Sequence, residues 1–255
     1  MDRETLAADT ARTAAALRSQ LNQMAAASQV LERSTDREKG RAYLAVINQS
    51  ICRMLRIVGR MELGYRLTEE ETVRLAPKYT DLALRLNDMS NRVSGVLADI
   101  GITFTLHCPD RLPALVDSEL LQQMLLELVS SLAMVSTKIA LSVSLKDNKI
   151  YFTLSDNGPG QAEGRPVLPS VLEEQEEQSS IELARQIAEL HGGTLIISGS
   201  GDQHLSVAVS IPLNEPSSLP LESPSALWHS GGFDPVLVAM SQLLPSRSFL
   251  PENLG

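Results

Sequence analysis

Leu44, Ile47, Ile51, Met54, Val58 and Met61 follow one another at intervals of three and four without a miss. Residues spaced this way line one face of a helix, in a stripe about a third of its circumference wide. The positions between them carry Arg, Gln and Glu, which stay in water, so the stripe must be covered by something. A similar stripe precedes it: Leu17, Leu21, Met24, Ser28 and Leu31. Between the two lies Ser34-Thr35-Asp36-Arg37-Glu38-Lys39, where Thr35 or Asp36 is placed to cap the second helix. Residues 4–63 therefore read as two long helices. Two helices alone bury too little to be stable, and an antiparallel hairpin that pairs with a second copy into four helices is the economical solution. The alternative cover is the chain's own C-terminal domain.

The chain has 255 residues, 43% of them hydrophobic, 21% charged and only 4% aromatic, so its core rests on Leu, Ile, Val, Ala and Met. That suits one well-buried core with an extension, or two modest domains. A net charge of -9 leaves no electrostatic footprint for nucleic acid, and no Lys/Arg run suggests an anionic membrane surface. The opening MDRETLAADT does not read as a signal peptide, and no stretch approaches the ~18 apolar residues of a membrane span. Cys52 and Cys108 stand far apart, and His107, His191, His204 and His229 are scattered, so no metal motif is present. Cytoplasmic residence is the expectation.

After Gly64 the texture changes. Residues 72–75 read as a short strand, and Pro77 as the first turn of a helix that runs to about Asp99 and stops at Gly101. Residues 102–106 alternate as a strand. Asp117 or Ser118 caps a Leu- and Met-rich helix over 118–135. Strands at 139–145 and 150–154 are joined by the hairpin turn Lys146-Asp147-Asn148-Lys149. Residues 161–178, with two prolines and an acidic run, read as a loop, with Gln178 or Ser180 capping a helix at 179–190 that ends in His191-Gly192-Gly193. Strands at 194–199 and 204–211 follow. Helices alternating with antiparallel strands call for a sheet with helices on one face. A Pro/Ser-rich linker leads to FDPVLVAMSQLLP, where Asp234 caps and Pro235 opens a short helix with one apolar face. That face is expected to dock, on its own chain or on a partner.

Three pieces taken in order resemble sensor histidine kinases: "DSELLQQMLLELVSSL" (117–132), "LSDNGPG" (154–160) and "IELARQIAELHGGTLIISG" (181–199). The resemblance covers about residues 10–213. It implies an α+β chain: an antiparallel helical hairpin, a four-helix bundle on dimerisation, followed by the α/β sandwich of the ATPase type shared with gyrase and MutL. The expected domains are a dimerisation hairpin at 1–66, the ATPase-like domain at 70–213, a linker at 214–232 and a docking segment at 233–255.

Carried over residue by residue, the resemblance implies that Asp156 accepts the adenine amino group, with Gly158 and Gly160 forming the turn beside it. A tight turn with a buried Asp bonded to its own backbone would look the same in sequence. The rest of such a pocket is altered. The family's Mg2+-coordinating Asn falls on Ser131, and a second Asn on Glu127. A Ser hydroxyl is a weaker ligand than an amide carbonyl, and octahedral Mg2+ tolerates few changes of ligand direction. The second glycine-rich box falls on Glu176-Glu177-Gln178-Ser179-Ser180-Ile181, where side chains replace the glycines that let phosphate approach the backbone. The phosphoacceptor His falls on Ala15, which offers no nucleophile, and no histidine precedes His107.

The expectation is a two-component-type signalling protein without catalytic residues or cofactor, acting as a dimeric regulator or scaffold. Its partners would be a second copy, through the hairpin, and a receiver-type or other signalling protein. The alternatives are a divergent ATP- and Mg2+-dependent kinase, and a module that senses adenine through Asp156.

Overall fold

In a computed structural model of the chain, the residues described are 3–33, 35–68, 75–156, 170–199, 205–213 and 232–254. They divide into two compact units. One joins Met1–Tyr65 to His229–Gly255, and the other is Arg66–Trp228.

The first unit opens with two long helices, α1 (Arg3–Arg33) and α2 (Arg37–Thr68). Of the two cap candidates, Asp36 does the capping: its Oδ1 accepts from the backbone N–H of Glu38 at 3.0 Å and of Lys39 at 3.4 Å. The apolar stripe of α2 is not its most buried face. Ala45, Gln49, Cys52, Arg56 and Leu63 are buried, whereas Leu44 is 37% exposed, Met61 46% and Val58 48%. On α1, Leu21 and Val30 are exposed as well.

The second unit runs β1 (Lys78–Asp81), α3 (Leu82–Ala98), β2 (Thr103–His107), β3 (Pro113–Val116), α4 (Ser118–Val135), β4 (Lys138–Lys146), β5 (Lys149–Asp156), α5 (Ser170–Leu190), β6 (Thr194–Gly199) and β7 (Leu205–Pro212). Five strands form one sheet in the order β2-β4-β5-β7-β6, antiparallel except for the parallel pair β2–β4. One sheet face is buried, through Ile139, Leu141 and Val143 on β4, Phe152 and Leu154 on β5, and Val207 and Val209 on β7. α4 packs against α3, α5, β4 and β5, and every residue from Leu120 to Ala133 except Gln122 is buried. It is the central rod of the helical layer.

The β4–β5 hairpin turns through Asp147 (φ 50°) and Asn148 (φ 56°), the paired left-handed residues of a type I′ turn. At the end of α5 the chain turns through Gly192 (φ 72°), and Gly193 lies so close to β7 that a Cβ would stand 2.1 Å from the Ser210 carbonyl oxygen.

Three expectations need correction. Pro77 does not open a helix: β1 follows it, and α3 starts at Leu82, capped by Asp81. The Asp81 carboxylate also accepts from Leu112 N–H at 3.0 Å, and β1 pairs antiparallel with β3, a strand with no local signal. A long-range pairing thus overrides the local proline preference. Of the strand anticipated at 72–75, residues 72–74 lie outside the described residues. The acidic run at 173–177 lies in a helix rather than a loop, because α5 begins at Ser170. Neither Gln178 nor Ser180 is therefore a cap. Glu and Gln are good helix formers, and acids near an N-terminus favour the helix dipole.

The first unit is completed from the far end of the sequence by α6 (Pro235–Ala239). Asp234 Oδ1 accepts from Val236 N–H at 2.8 Å with Pro235 in the first turn, as read from the sequence. The helix is only five residues long. Beyond it the chain continues in turns and two 3-10 turns, Ser246–Phe249 and Pro251–Asn253.

Candidate functional site

Of the residues singled out by sequence, Glu127 and Ser131 lie in the C-terminal half of α4, and hydrogen bonds bring Ser180 to Glu127 and Asp156 to the helix end. Asp117 sets the helix: its Oδ1 accepts from Leu120 N–H at 3.1 Å, and its Oδ2 from Ala76 N–H at 3.1 Å. From that start α4 carries Glu127, Ser130 and Ser131 on buried positions, and ends at Ser136, whose N–H returns to the Leu132 carbonyl.

Asp156 is the last residue of β5, opposite Ile139 on β4. Its Oδ2 accepts a 2.6 Å hydrogen bond from the Ser136 hydroxyl, so the strand end is tied to the end of α4. Asp156 is half-buried. Gly158 and Gly160 lie outside the described residues. Ser136 was not anticipated as its partner, because twenty positions separate the two and each reads alone as a helix or strand terminus.

The position of the second Asn implied by the resemblance and that of the second glycine box meet directly. Ser180 on α5 donates to Glu127 Oε2 on α4 at 3.1 Å, and both residues are at most 2% exposed. Ser180 is inside α5, a full helical segment along its neighbour. Ser131, at the implied metal position, is buried. No group of three or more His, Cys, Asp or Glu placed to hold a metal occurs among the described residues.

His191 ends α5. Its Nδ1 lies 2.8 Å from the Ile187 carbonyl, so it satisfies the helix end as its sequence position suggests. Burial pushes its pKa below the ordinary 6.5, opposed by the Ile187 carbonyl and by Asp117. Nε2 finds no hydrogen-bond partner among the described residues. A small cavity of about 60 Å³ adjoins it, walled by Leu115, Val116, Ile211 and Pro212.

The chain is similar in structure to solved histidine kinases. Histidine kinase AdeS of Acinetobacter baumannii matches with a TM-score of 0.57 at 15% identity, over 78% of this chain and 98% of that one. Full-length ShkA, solved in complex with AMPPNP, matches with a TM-score of 0.57 at 17% identity, over 94% of this chain and 54% of that one. This is the fold of a histidine-kinase core. No protein-family model and no curated protein matches the sequence. Fold likeness at this identity carries the histidine-kinase architecture and not the activity. Among the described residues, no helix of this histidine-kinase fold is long and apolar enough to cross a membrane.

Proposed function

We propose that the chain is a non-catalytic, dimeric regulator or scaffold of the two-component type, built on a histidine-kinase core. The observation that carries this reading is the buried Ser180–Glu127 hydrogen bond. A triphosphate held between the α4 and α5 positions needs open backbone on one side and a metal ligand on the other. Here Ser180, in place of a glycine, is spent on Glu127, a buried acid that is a poor neighbour for phosphate, and Ser131 stands at the implied metal position. Ala15 stands where a phosphoacceptor would be needed. The exposed apolar positions Leu21, Val30, Val58 and Met61 favour pairing of the hairpin with a second copy. In this reading the paired hairpins present a surface to a receiver-type or other signalling protein.

A second reading keeps adenine binding without turnover. It rests on Asp156, which is only half-buried at the mouth of a strand end. Isothermal titration with ATP and with ADP, each with and without Mg2+, separates the two readings. The non-catalytic reading expects no heat up to millimolar nucleotide. Binding that disappears in Asp156→Asn supports adenine sensing, and binding strengthened by Mg2+ with turnover of ATP overturns both.

A further inference from the structure

The helical unit is discontinuous: residues 66–228 are inserted between α2 and the segment that completes it. That segment is held on α2 in an unusual manner. Three side chains of α2 read its main-chain carbonyls: Gln49 Nε2 donates to Leu244 O at 2.7 Å and to Ser241 O at 3.3 Å, Arg53 Nε to Ser241 O at 3.1 Å, and Asn48 Nδ2 to Phe249 O at 3.0 Å. Arg41 and Glu252 pair at the exposed rim. Val236, Met240, Leu244 and Phe249 are buried on the segment's own side.

Several features make this contact weaker than a core. A helix as short as α6 cannot hold itself together, so the order of the segment depends on α2. The hydroxyls of Ser50 on α2 and Ser241 on the segment are buried with no hydrogen-bond partner among the described residues, and each loses its hydration without return. Packing also stops short at one end. A groove of about 770 Å³ opens between the first turns of α2 and the Ser246–Phe249 turn, lined by Arg37, Arg41, Ala42, Arg247 and Leu250. Beside its buried apolar residues the contact therefore has polar and unpacked parts, and contacts of that kind open locally below the free energy of global unfolding.

We propose that residues 232–254 form a releasable clasp on α2. Closed, the clasp seats the chain that follows the inserted residues 66–228 back on α2. Open, it bares the face of α2 that carries Ala45, Gln49 and Arg53. The inference stands apart from the functional reading above, because it rests on α2 and the segment alone.

Hydrogen exchange of the full-length protein, read by mass spectrometry, tests it. Peptides from 232–254 are expected to exchange at least 100-fold faster than peptides from 45–60. Gln49→Ala is expected to raise exchange of 232–254 a further tenfold and leave the unfolding midpoint of the inserted unit unchanged. Glu252→Ala, which cuts only the exposed rim pair, shifts the same peptides two- to threefold and guards against a variant that does not fold. Equal exchange of the two regions in the unmodified protein, rising together in either variant, would mean the segment opens only with the whole helical unit, and the clasp would be discarded.

Discussion

Ser180 on α5 donates its hydroxyl to the Glu127 carboxylate on α4 at 3.1 Å, in a place from which water is excluded. The bond joins α4 and α5 directly. It also makes the contact measurable. Removing one partner of a buried hydrogen bond leaves the other with a donor fewer and costs about 1–3 kcal/mol. Ser180→Ala is therefore expected to lower the free energy of unfolding by that amount, read from the shift of the urea midpoint at unchanged slope. A neutral effect would mean that the α4–α5 contact is held by apolar packing alone.

Gly193 makes a sharper case. A Cβ there would overlap the Ser210 carbonyl oxygen at 2.1 Å and crowd the Ala188 carbonyl oxygen at 3.0 Å. Both obstacles are backbone, so neither can swing away. Gly193→Ala is expected to cost about 3 kcal/mol as α5 is pushed off β7. Thermal unfolding monitored by circular dichroism checks it, with Gly95→Ala, where a Cβ meets nothing within 4 Å, as the mild control.

His191 should give the protein an acid-side weakness. Its pKa is lowered in the folded state by burial, so above the ordinary 6.5 both folded and unfolded states hold it neutral and stability is complete. Below 6.5 the unfolded chain takes up a proton that the folded one refuses. Stability then falls with pH until the folded pKa is reached. His191→Gln is expected to flatten that part of the profile, measured as denaturation midpoint between pH 7 and 5.

The half-exposed stripe on α2 yields a prediction about assembly. If Val58 and Met61 are covered by a second copy, two carboxylates there break the contact. Val58→Asp with Met61→Asp is expected to halve the mass seen by light scattering while leaving the helical signal intact. An unchanged mass would assign the stripe to another partner.

How far the sequence could be read depended on whether a signal was local. Asp117 with its Leu-rich follow-on defined α4 to the residue, and the Asp147-Asn148 turn defined β4 and β5 to within two. β3 could not be read, since its four residues are specified by pairing with β1, 32 positions upstream in the Asp81–Pro113 pair, rather than by any pattern of their own. The start of α5 was missed because prolines and a Glu run look like loop punctuation, although Glu is at home in a first helical turn. At the candidate site Glu127 and Ser180 were each picked out. That they bond to one another was hidden, because nothing in a sequence links positions 53 apart. On α2 the apolar spacing marked one face, and the structure buries the adjacent polar one, where Gln49 and Arg53 find carbonyls that no periodicity announces.

The discontinuous helical unit bears on how the chain comes into being. α1 and α2 are synthesised before residues 66–228, and the segment that bonds to Gln49 only after them. At roughly 5–20 residues per second, α2 waits on the order of ten seconds or more with that face uncovered. A nascent chain stalled before residue 232 would display a polar-rimmed helical surface that the finished protein conceals.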